Sequence, residues 1–141
     1  MRYACTLCLP LLLTSMFAQA AIEVGDARIR ILPGDLPAAG YFTLTNDSPT
    51  SVTLEGAESP AFASVMMHQS VQRDGTASMQ HLMQVEIPAN GKLSFAPGGY
   101  HLMLMQRQVP LAVGDKVQMT LKFSDGQRVP ATFTAVLPGS D

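Results

Sequence analysis

Along most of this chain, apolar and polar side chains alternate in short runs, and turn-forming residues separate the runs. A period of two is the mark of a half-buried strand. Residues 22–31 form the first run, which ends at Leu32-Pro33-Gly34-Asp35. Within 39–46, Tyr41 and Thr43 alternate with Phe42 and Leu44. Residues 51–54 are rich in Val and Thr, and a long hairpin-like stretch covers 64–87. Residues 92–95 lead into Pro97-Gly98-Gly99, and a further run covers 100–106. A last pair, 116–123 and 129–136, flanks Ser124-Asp125-Gly126. Helical periodicity is missing, apart from a single turn expected over 59–64. Strands at roughly 8–12-residue spacing with turn signals between them predict an all-β sandwich.

The first twenty residues break the pattern. Arg2 gives a positive start, residues 9–17 are apolar except for Pro10, Thr14 and Ser15, and Ala18-Gln19-Ala20 is a small-residue cleavage signal. Residues 1–20 therefore read as an export signal cleaved after Ala20, leaving one domain over 21–141. The apolar run is too short for a bilayer-spanning helix, which needs roughly 20 residues. Cys8 precedes that run instead of following it, which argues against a lipoprotein signal. Both cysteines leave with the signal. The remainder then has no disulfide, zinc-thiolate site or cysteine nucleophile. It carries 8 basic and 11 acidic side chains, with no basic patch for nucleic acid and no basic amphipathic helix for a membrane surface.

What chemistry there is lies in histidine and methionine. His68, His81 and His101 all fall between Met66 and Met105, as do Met67, Met79, Met83 and Met103. Methionine alone would read as core packing, since its thioether chain fills gaps well. In Tyr100-His101-Leu102-Met103-Leu104-Met105, however, His101, Met103 and Met105 share one face and the leucines the other. The leucine face belongs to the core, so the His/Met face is left toward solvent or another segment. Imidazole and thioether without thiolate or carboxylate suit a soft or borderline ion, and copper(I) matches best. Zinc, calcium and magnesium would want other donors. A blue-copper centre needs a thiolate and is excluded. Neutral donors leave the ion's charge uncancelled, which predicts a site near the surface, suited to handing the ion on. Paired carboxylates and a Gly-x-Ser-x-Gly elbow are both missing, so no enzyme is expected. Asn46-Asp47-Ser48 has the pattern of a glycosylation triplet and reads as a turn.

His68 is followed by ten residues and Met79, then by twenty-one residues and His101, with Met103 two positions on. The run Pro97-Gly98-Gly99-Tyr100-His101-Leu102-Met103-Leu104 and the turn residues Asp74-Gly75 accompany this spacing. The whole resembles the periplasmic copper(I) chaperones called PCuAC proteins. That resemblance implies a cupredoxin-like Greek-key sandwich holding copper(I) with His68, Met79, His101 and Met103. It also implies delivery to the binuclear copper centre of cytochrome c oxidase subunit II, alongside a Sco-like thioredoxin-fold protein. Met66, Met67, Met83 and Met105 would form a soft surround or docking surface. His81 and Met83 depart from the usual pattern and leave open a further ligand or a second ion. Two other readings are periplasmic copper sequestration for tolerance, and a metal-free sandwich whose Met-rich face binds a protein partner.

If Asp74-Gly75 is a two-residue type I′ turn, the hairpin register follows. His68 then faces His81, Ser70 faces Met79 and Met66 faces Met83, all on one side of the sheet. In that register His81 lies nearer His68 than Met79 does. Met79 remains the expected copper(I) ligand, with His81 a nitrogen for copper(II) or a passing ion.

Overall fold

A computed structural model describes residues 21–140, so the expected export signal over 1–20 lies outside the described residues. Each run contains strand, and the hairpin-like stretch over 64–87 divides into a hairpin and a further short strand that pairs elsewhere. In chain order the strands are β1 (Ile22–Arg30), β2 (Ala38–Asn46), β3 (Val52–Glu58), β4 (Phe62–Arg73) and β5 (Thr76–Leu82). There follow β6 (Val85–Ile87), β7 (Gly91–Phe95), β8 (Tyr100–Arg107), β9 (Lys116–Phe123) and β10 (Arg128–Val136). The turn expected over 59–64 is not helical. Phe62 N–H donates to the Ser59 carbonyl at 3.3 Å, and β4 begins at once. Pro60 occupies the second position of that tight turn, where its fixed φ is favourable.

The strands form one hydrogen-bonded path, β5-β4-β8-β2-β1-β10-β9-β3-β6, with β7 paired to β2 off this path. Strands β1 and β10 run parallel, and the other pairs of the path are antiparallel. Met67 and Leu102 from one end of the path and Leu54 and Ile87 from the other belong to a single buried cluster. The path therefore folds over on itself, giving the all-β, cupredoxin-like sandwich. Phe42 ties its layers together, stacking on Phe95 at 4.4 Å and meeting Phe133 edge-on at 5.6 Å.

Two local features hold the frame that carries β8. Asn46 is fully buried, and its amide donates to the carbonyls of Thr50, Ile87 and Pro88 at 2.9, 3.4 and 3.1 Å. Its side-chain oxygen accepts from the Ser48 N–H and hydroxyl. The triplet at 46–48 is thus a turn, with its asparagine locked inside. Gly40 pairs with Leu102, and a Cβ there would lie 3.1 Å from Leu102 Cβ and 3.3 Å from Leu104 Cδ1. Only a glycine lets β2 and β8 come this close with both leucines in the core.

Gly40→Ala should therefore cost about 1–3 kcal/mol of stability through overpacking, read by urea denaturation. Asn46→Asp should cost about 3 kcal/mol or more, because a carboxylate would face three carbonyl oxygens. A melting temperature unchanged by Asn46→Asp would show that this network is not structural.

Candidate metal centre

The site begins with a turn. Asp74 and Gly75 have φ of 50° and 76°, the left-handed pair that a type I′ hairpin requires. The hairpin adopts the register expected from it, with His68 opposite His81 and Ser70 opposite Met79. On its other edge β4 pairs with β8, placing His68 opposite His101 and Met66 opposite Met103. His81, His68 and His101 therefore form a row across three neighbouring strands. Their ring centroids lie 5.6 and 5.7 Å apart. Leu102 and Leu104 point into the core, so this row occupies the opposite face.

A second turn orients His101. Gly99 N–H donates to the Ala96 carbonyl at 3.0 Å, with Pro97 and Gly98 between them and Gly98 at φ 84°. This is the arrangement of a type II turn, where the third position needs positive φ. The turn brings the Gly99 carbonyl to Ser70 N–H at 3.1 Å and to His101 Nδ1 at 3.3 Å. With Nδ1–H donating there, the Nε2 lone pair of His101 is left for a metal, the usual arrangement of a ligating histidine. His68 differs. Its Nδ1 is buried without a hydrogen-bond partner. An orphaned polar atom is costly, and a coordinated cation would satisfy it. Burial, then the neighbouring His101 and His81, push the pKa of His68 below its ordinary 6.5.

Met103 lies between Met66 of β4 and Ala39 of β2. The small Ala39 leaves a cleft of about 330 Å³, whose walls include Arg30, Tyr41, Met79, His101 and Met103. Arg30 is held over the Tyr41 ring at 5.0 Å. The four residues that the PCuAC resemblance implies as ligands, His68, Met79, His101 and Met103, thus share one face, and three of them line one cleft. Their exposure is graded: Met79 is 60% exposed while His101 is only 5% exposed. The expected surface site is most open at Met79, while His68 and Met103 are half-buried. Met67 does not belong to the soft surround. It is 2% exposed and sits in the core, because period two turns it away from Met66 and His68. Arg30, Tyr41 and Ala39 carry no local signal for a metal site, since they arrive from β1 and β2 through long-range pairing.

Adjacent strands are about 4.7–4.9 Å apart, so His81 and His101 are separated by two such steps. Among the described residues, no three His, Cys, Asp or Glu side chains are placed to hold a metal together. The row thus offers two neighbouring imidazoles with thioethers on the same face, a soft, uncharged group of candidate donors.

Residues 22–135 match the family profile "Putative lipoprotein LpqE-like". The structure described as Cu(I)-DR1885 from Deinococcus radiodurans is 34% identical with a TM-score of 0.69, over 86% of this chain and 83% of that one. The chain belongs to the LpqE-like, PCuAC family. The chain is also similar to "Putative lipoprotein Lxx21020" of Leifsonia xyli, 36% identical over 110 residues, 77% of this chain. The chain spans 66% of that curated relative's length. A copper-bound PCuAC domain from PmoF2, at 24% identity, shares the fold with a TM-score of 0.70 over 83% of this PCuAC chain and 93% of its own.

The lowered pKa of His68 has a measurable sign. The unfolded chain takes up a proton near 6.5, which the folded His68 resists. Stability is therefore full above that pH, falls as pH drops below it, and stops falling below the folded value. His68→Gln should flatten this step in urea denaturation of the metal-free protein between about pH 7 and pH 5. A step of undiminished size in the variant would assign it to another group.

Proposed function

We propose that this protein is an exported, periplasmic copper(I) chaperone that binds one ion through His68, Met79, His101 and Met103. Export rests on the signal-like residues 1–20, with cleavage after Ala20. The observation that carries the metal reading is a pair of imidazoles that face each other across β4 and β8, His101 on the cleft wall and His68 beside it. His68 Nδ1 is buried without a partner, and the Gly99 carbonyl leaves His101 Nε2 free. Two thioethers on the same face complete a donor set that favours copper(I) over harder ions. That DR1885, 34% identical, has been solved in a Cu(I) form supports the same assignment here.

The geometry suits transfer. All four donors are neutral, so no counter-charge traps the ion, and the Arg30 guanidinium on the cleft wall adds none. A recipient's donor can approach at the exposed Met79 while His101 keeps its grip, so copper changes hands by stepwise ligand exchange. Sequestration would be better served by a closed site, and a metal-free interaction face would not orphan His68 Nδ1. The recipient we propose is the binuclear copper centre of cytochrome c oxidase subunit II, with a Sco-like thioredoxin-fold protein acting alongside.

Anaerobic titration of residues 21–141 against a chromophoric copper(I) chelator should show tight binding of a first equivalent without intense blue colour. Met103→Leu should weaken that equivalent about tenfold or more while changing metal-free stability by under about 1.5 kcal/mol, since volume is nearly conserved. Lost stability with unchanged copper affinity would make Met103 a packing residue. The copper-loaded protein should then metallate a soluble copper-binding domain of oxidase subunit II. Retention of the ion would favour sequestration instead.

A further inference from the structure

The copper(I) set proposed above leaves the outer part of the histidine row unused. His81 sits at the free edge of the sheet, on β5, whose only neighbour in the strand path is β4. It is exposed, as are Met79 before it and Met83 after it, at 60% and 76%. Met79 and His81 are two residues apart in β5 and share a face. Met83 follows the strand end directly. Two thioethers left in water on either side of an imidazole are poor packing and a good soft donor set.

His81 is not a third imidazole on the inner ion, because among the described residues no three His, Cys, Asp or Glu side chains are placed to hold one metal together. It is nevertheless as close to His68 as His101 is, at 5.6 against 5.7 Å between ring centroids. His68 is the midpoint of the row and Met79 belongs to both ends of it. We propose that His81, Met79 and Met83 form a second, outer copper(I) position from which the ion passes inward. The inference rests on the inner-site reading and extends it. An ion landing on His81 gains His68, releases His81, then gains His101 and Met103 at the buried end. Copper stays in the +1 state throughout, and only dative bonds form and break. Two cations one strand step apart repel each other, so at limiting copper the outer position fills only in passing.

The test is anaerobic titration of residues 21–141 with copper(I) supplied as its bicinchoninate complex, with stopped-flow measurement of uptake. The wild type should take a second equivalent about tenfold or more weaker than the first, given the like-charge repulsion. His81→Ala should lose the second equivalent, keep the first and take up copper more slowly. Met83→Leu, which nearly conserves volume on an exposed site, should also lose the second. Met103→Leu should weaken the first and leave the second, which separates the two positions. A single equivalent in the wild type would overturn the outer position. So would retention of both equivalents in His81→Ala, or loss of its first equivalent. If Met103→Leu and His101→Ala left the first equivalent intact, the inner-site reading would fall instead.

Discussion

Strand β4 is held in register from both edges, and the metal centre depends on that double constraint. On one edge the type I′ turn at Asp74-Gly75 sets His68 against His81. On the other, pairing with β8 sets His68 against His101 and Met66 against Met103. A slip of one residue would exchange the faces of the whole strand, sending His68 inward and Met67 outward. Met67, Leu102 and Leu104 resist this because all three are buried in the core. Hydrophobic burial on one face thus fixes the position of polar donors on the other.

The donors themselves are uncharged, which shapes what the centre can do. A cation held by imidazole and thioether keeps its full charge, with no anionic donor to neutralise it. Holding and releasing then depend on geometry and access. The turn at Pro97-Gly98-Gly99 makes His101 the fixed point by directing the Gly99 carbonyl to its Nδ1. Met79 lies exposed on the edge strand. The candidate donors thus run from a buried, oriented nitrogen to an exposed sulfur.

The rest of the sandwich supports that arrangement. Gly40 lets β2 approach β8 closely, and its neighbour Ala39 keeps the cleft beside Met103 open on the outer face. Farther along β2, Phe42 joins the stack with Phe95 and Phe133, and Asn46 closes the strand with its carbonyl network. One strand therefore carries core packing, close approach and cleft shape at successive positions, because its side chains alternate between the two faces.

Alternation and turn chemistry by themselves determined the all-β character and the hairpin register at Asp74-Gly75. They also determined the split of residues 101–105 into a His/Met face and a leucine face. These are local properties, set by a period of two and by φ preferences within a few residues. The resemblance to the PCuAC motif, carried by the spacing of four residues, grouped His68, Met79, His101 and Met103. Only the tertiary structure decided that His101 is buried and oriented by Gly99, that Met67 belongs to the core, and that Asn46 is locked inside. It also brought Arg30, Tyr41 and Ala39 to the cleft wall. Each of these depends on pairing between strands distant in the chain, β4 with β8 and β8 with β2. Such contacts are selected by the burial of the whole core, and a local pattern carries no record of which partner a strand's edge will meet.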